Sequence, residues 1–195
     1  EARGIAQRAI VVVLSDHGES FLEHEQVCHC SSVYDAETRV PLAFRLPGRR
    51  APKPHRVAQP VSLIDVAPTL LELLTIDHRP LGLEGRSLVP DLDPVAARDP
   101  EPGRSFASQR GQRSVVLGRH KLLADLTRGR EALFDLATDP GEAVDLAAEQ
   151  QELARALRSV LDGHLRASEG EAYGAAAQSL DAELADQLRA LGYME

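Results

Sequence analysis

Three of the chain's seven histidines fall in one stretch of sixteen residues, Ser15 to Cys30, written SDHGESFLEHEQVCHC, together with Asp16, Glu19, Glu23, Glu25 and both cysteines. A carboxylate offers a hard anionic oxygen and a neutral imidazole a borderline nitrogen, a mixture open to Ca²⁺, Mg²⁺, Mn²⁺ or Zn²⁺. Asp16 and His17 are the sharpest such pair, but two ligands are too few for any of these ions. A polar turn in which Asp16 bonds nearby amides accounts for the same two residues, so residue chemistry alone leaves both readings open. His29 has a side chain whose reference pKa of about 6.5 lets it neutralise an oxyanion or protonate a departing alkoxide at mild pH. An exposed loop histidine is the plainer account of it. A zinc site built from His24, Cys28, His29 and Cys30 is disfavoured. Cys-x-Cys with an adjacent His is not a usual zinc spacing, and neighbouring side chains of an extended segment point to opposite faces.

The elements around this stretch place it. Ile10 to Leu14 is a β-branched run without alternation, the pattern of a strand buried on both faces of a parallel sheet. In open α/β sheets ligands bind beyond the carboxyl ends of strands, which is where Asp16 and His17 stand. Val40 to Leu46 reads as a second strand ending at Pro47-Gly48. Asp65 reads as a helix N-cap, with Ala67, Leu70, Leu71 and Leu74 spaced along one face. Residues 77–104 hold many prolines and glycines and read as an irregular connection. Beyond it, Ser114 to Leu126 and Glu131 to Leu136 read as strands joined by Thr127 to Arg130, and Asp139-Pro-Gly-Glu142 as a turn. A helix then carries Leu153, Leu157, Val160, Leu161 and His164 on one stripe. A final helix carries Leu180, Leu184, Leu188 and Leu191 and stops at Gly192. The fold class is therefore α/β, a parallel-sheet core followed by a small antiparallel sheet with a packed helix. The division expected is 1–104, 105–167 and a tail helix over 168–195. Lys121 and His120 fall on the small sheet, where a solvated edge is the default.

Net charge is −8 with histidines neutral, which argues against a nucleic-acid backbone as partner. The longest apolar run, Ala9 to Leu14, is far too short for a membrane span. Chain-opening residues Glu1-Ala-Arg-Gly carry no initiator Met, so the sequence reads as part of something longer.

In order along the chain come Ser15-Asp-His-Gly-Glu19, Glu23-His24, His29, Tyr34-Asp35, Arg39-Val-Pro-Leu42 and Val61-Ser-Leu-Ile-Asp-Val-Ala-Pro-Thr-Leu-Leu71. They are followed by Gly85-Arg-Ser-Leu88, Gly118-Arg-His-Lys-Leu122, Leu133-Phe-Asp-Leu136, Asp139-Pro-Gly-Glu142 and Leu188-Arg-Ala-Leu-Gly-Tyr193. This series resembles the C-terminal portion of the sulfatase family, within the alkaline phosphatase superfamily. The resemblance implies an alkaline-phosphatase-like fold and hydrolysis of sulfate esters of a small molecule or glycan. It makes Asp16 and His17 metal ligands, with Ca²⁺ the first choice and Mn²⁺, Mg²⁺ or Zn²⁺ the alternatives. It makes His29 the residue that contacts the sulfate or the leaving group. His24 is expected to be structural or on the rim of the substrate cleft, and Tyr34, Asp35 and Arg39 to brace the loop.

Family members use a formylglycine made from Cys or Ser in a Cys/Ser-x-Pro-x-Arg motif. No Cys or Ser in these 195 residues stands in that motif, and there is no Asp-Asp pair. The resemblance thus implies that the nucleophile and the remaining metal ligands belong to an N-terminal half of the same enzyme, and that this portion alone does not turn over. Two other readings compete: a phosphate or phosphonate ester hydrolase of the same superfamily, and a non-catalytic module binding an anionic glycan or a protein. Bacterial relatives point to a periplasmic or secreted location, although no residue here assigns a compartment.

Overall fold

A computed structural model describes residues 4–29, 31–48, 53–93 and 103–170. The expected final helix, the motif at Leu188 to Tyr193 and Cys30 lie outside the described residues. Two compact units are delimited, 1–162 and 163–195. Among the described residues no helix is long and apolar enough to cross a membrane.

The apolar run forms β1, Val11–Leu14, which pairs antiparallel with β4, Leu42–Arg45, Val12 lying opposite Phe44. Between them lie a two-residue hairpin, β2 (Ser20–Phe21) with β3 (Val27–Cys28), and a short helix, α1, Asp35–Thr38. The sequence predicts β1 to be buried on both faces of a parallel sheet. Instead its one described partner is antiparallel, and Val13 is 58% exposed, with Val11 and Leu14 also uncovered. The physical reason is plain: a continuous apolar strand needs cover on both faces, and the described residues supply little for this one.

Helix α2, Val66–Leu73, follows a 3₁₀ turn at Leu63–Asp65. Asp65 does not cap α2 in the expected way. Its carboxylate reaches back to the Ser62 amide (2.9 Å) in a capping box and accepts the Arg86 amide (2.8 Å) from 21 residues on.

The small sheet has four antiparallel strands in sequence order: β5 (Arg104–Gln109), β6 (Gln112–Leu117), β7 (His120–Asp125) and β8 (Arg130–Asp135). The single strand expected over 114–126 is instead two, β6 and β7, and β5 is an unexpected third. Gly118, at φ +59°, makes the tight turn that divides the run. Once it is divided, β7 becomes an interior strand, and Lys121 is wholly buried on it rather than on a solvated edge. On the face that carries Leu123 and Phe134, the sheet packs against Val33 and Tyr34. Helix α3, Gln151–Gly170, buries Ala154, Leu157 and Leu161, and Arg158 on it pairs with Glu131 of β8.

Candidate functional site

The turn after β1 is held from both sides. Ser15 donates its hydroxyl to the His17 carbonyl (2.7 Å), and the His17 amide donates to Asp16 Oδ1 (3.0 Å), so the local turn anticipated for Asp16 is present. The Gly18 amide then donates to the Glu37 carbonyl of α1 at 2.7 Å. A Cβ at position 18 would sit 2.1 Å from the Ala36 carbonyl oxygen, so only glycine lets the turn approach α1 this closely.

Within that turn the His17 ring is oriented. Its Nδ1 lies 2.8 Å from the Gly18 carbonyl; a carbonyl only accepts, so Nδ1 carries the proton and Nε2 of the neutral ring keeps its lone pair. Nε2 lies 3.8 Å from Asp16 Oδ1, a spacing that two coordination bonds of about 2.0–2.6 Å to one ion can span. A ring nitrogen tied to a backbone carbonyl with the other free is the usual setting of a metal-ligating histidine. The Asp16 side chain is 71% exposed and has a second oxygen to offer. Chiefly because of the Gly18 carbonyl, opposed by desolvation and aided by the carboxylates of Asp16, Glu19 and Glu37, His17 holds its proton to higher pH than an ordinary histidine.

His29 stacks on His17, ring centroids 4.3 Å apart and planes 24° from parallel. Its Nδ1 lies 3.1 Å from Glu19 Oε2, which fixes that proton toward the carboxylate and leaves Nε2 for other work. Asp16, His17 and His29 are thus brought together, although eleven residues lie between the two histidines in sequence. His24 goes elsewhere, stacking flat on Tyr34 at 3.6 Å. Cys28 is exposed and free. Among the described residues no three His, Cys, Asp or Glu side chains group as a metal centre; Asp16 and His17 fit one side of such a site and do not complete it.

Sequence reasoning missed the residue that joins the two turns. Glu37 is 5% exposed, and its carboxylate accepts the Ser31 amide (3.1 Å) and hydroxyl (2.7 Å), the Ser32 hydroxyl (2.8 Å) and the Ser20 hydroxyl (3.4 Å). Burial alone would raise its pKa, but these serine hydrogen bonds outweigh burial and hold it below the usual glutamate range. Glu19 was also missed as the orienting partner of His29. No motif marks either glutamate, because their partners are set by the fold.

The family profile described as Sulfatase matches residues 1–76, the segment that contains the whole of this site. Arylsulfatase K of Rattus norvegicus is 34% identical over 175 residues, covering 81% of this chain and 30% of the relative. The chain belongs to the sulfatase family. A second sulfatase, the Delta 4,5-hexuronate-2-O-sulfatase of Bacteroides thetaiotaomicron, is 30% identical over 178 residues, covering 85% of this chain and 36% of that protein. The solved structure of a 2-O GAG sulfatase matches with a TM-score of 0.70 at 28% identity, covering 84% of this chain and 37% of that one. The fold is α/β and alkaline-phosphatase-like, as the sequence implies. This sulfatase chain spans about a third of the length of the relatives it matches.

Proposed function

We propose that residues 15–32 form one side of a metal-assisted site that hydrolyses sulfate esters. The single observation that carries this reading is the orientation of His17: Nδ1 tied to the Gly18 carbonyl, Nε2 beside Asp16 Oδ1, and His29 stacked on the same ring. Asp16 and His17 would hold a divalent ion, with Ca²⁺ first and Mn²⁺, Mg²⁺ or Zn²⁺ behind it. Such an ion supplies Lewis-acid neutralisation of the sulfate and orientation of the nucleophile. His29, with Glu19 holding its Nδ1 proton, presents Nε2 to a sulfate oxygen or to the leaving alkoxide. No residue of this chain stands in the formylglycine motif, so no step is assigned to that group here. The nucleophile and the remaining ligands belong to an N-terminal half of the same enzyme, and residues 1–195 alone are inactive on this reading.

The substrate class is a sulfated glycan. A curated relative and a solved structure bear names that specify a 2-O-sulfate, the curated one on a hexuronate, which makes a 2-O-sulfated hexuronate the first compound to try. The experiment joins residues 1–195 to the coding sequence upstream and measures sulfate release. His17→Ala and His29→Ala should each lower kcat/KM by about 10²–10³-fold, the usual cost of removing one group that stabilises the transition state. Sustained turnover by residues 1–195 alone would overturn the half-site reading. Release of phosphate or phosphonate without sulfate would move the assignment to the other branch of the superfamily.

A further inference from the structure

Lys121 is the only lysine on the small sheet, and its side chain is 0% exposed. Burying an ammonium in a protein interior costs several kcal/mol unless charges and hydrogen bonds compensate it. Two carboxylates do so. Asp35 Oδ1 accepts from Nζ at 2.7 Å, and Glu142 Oε1 lies 2.7 Å from the same nitrogen as a charge pair. Glu142, from the Asp139–Glu142 turn and itself in a left-handed conformation (φ +54°), turns its other oxygen to the Asp35 amide at 2.6 Å. The first residue of α1 is therefore gripped twice, through its side chain by Lys121 and through its backbone by Glu142. These contacts reach across 86 and 107 residues of sequence.

What α1 holds in turn is the candidate site. The Glu37 carbonyl takes the amide of Gly18, next to His17, and the Glu37 carboxylate takes Ser20, Ser31 and Ser32, which bracket His29. An α-helix of four residues has almost no stability of its own, so its position must come from outside. We propose that Lys121 is a positioning residue for the Asp16–His17–His29 site: with Glu142 it anchors α1 to the small sheet, and α1 sets both site turns. The small sheet thereby fixes the site's geometry without touching substrate. This inference rests on the reading of that site given above, and its test separates the two.

The test is amide hydrogen exchange by NMR on the 195-residue chain, taking the ratio of the Gly18 rate to the rates of the β6–β7 ladder, together with the His17 tautomer from its ring ¹⁵N shifts. Lys121→Met and Asp35→Asn are compared with wild type; the asparagine keeps its acceptor oxygen and loses only the charge, so it stays informative if the methionine variant does not fold. The expected result is Gly18 exchange accelerated about tenfold or more relative to the ladder, with loss of the single Nδ1–H tautomer at His17. A core substitution in the same sheet, Leu133→Ala, should speed the ladder itself and so not raise that ratio, and should leave the His17 tautomer unchanged. The proposal is overturned if the ratio and the tautomer in Asp35→Asn stay at wild-type values, or if Leu133→Ala alters them equally. Failure of the metal reading would appear separately, as absence of Mn²⁺ binding at His17 in residues 1–195 joined to their upstream half, with these exchange results intact.

Discussion

The Gly18 amide and the Glu37 carbonyl meet at 2.7 Å, and a Cβ at position 18 would lie 2.1 Å from the neighbouring carbonyl of Ala36. That contact sets how far His17 stands from the chain that carries His29. Replacing Gly18 by Ala must push the turn away from α1, because backbone rather than a flexible side-chain end occupies the space. The expected cost is about 1–3 kcal/mol, the range for overpacking a close contact, read from denaturant midpoints. A variant of unchanged stability with His17 still stacked on His29 would contradict the geometry.

Glu37 gives a second expectation, with a defined pH dependence. Its folded pKa lies below the ordinary value of 4.5, so ionisation stabilises the fold. That contribution is fully present above about pH 4.5 and is lost as pH falls through the lowered folded value. Glu37→Gln keeps one acceptor oxygen and loses the charge, and should cost about 1–3 kcal/mol at pH 7. Wild type and variant should converge in stability as pH falls through that lowered folded value; curves that stay parallel across the acid range would exclude this role.

The exposed apolar strand makes a third prediction. With Val11, Val13 and Leu14 uncovered on β1, the isolated chain should bind an apolar dye and self-associate. Val13→Lys should reduce both while leaving the far-UV spectrum unchanged. Sedimentation at several concentrations checks this, and a dye-silent monomeric wild type would count against it.

Some of this was legible in the sequence, and the limits have physical causes. IVVVL followed by SDHG identifies a strand end, and the hydrogen bonds among Ser15, Asp16, His17 and Gly18 span one or two residues, so Asp16 and His17 could be placed there from local rules, whereas the hold of Glu37 on Gly18 could not. The stack of His17 on His29 could not, because the intervening hairpin turns through left-handed Leu22, His24, Glu25 and Cys28, none of them glycine or asparagine. Lys121 is misplaced for a different reason: reading SVVLGRHKLLADL as one strand hides the turn at Gly118, and without that turn the interior position of β7 is invisible. Glu37 and Glu142 gain their roles only through partners brought together by tertiary packing, which no spacing rule encodes.

Paramagnetic broadening by Mn²⁺ reports whether Asp16 and His17 ligate one metal ion. Substoichiometric Mn²⁺ added to residues 1–195, segmentally ¹⁵N-labelled and joined to the upstream half that supplies the remaining ligands, should selectively erase the Asp16 and His17 signals and weaken His29. The same addition to His17→Ala should leave that segment sharp. Broadening spread over surface acids alone, or broadening at Asp16 that persists undiminished in His17→Ala, would contradict the account.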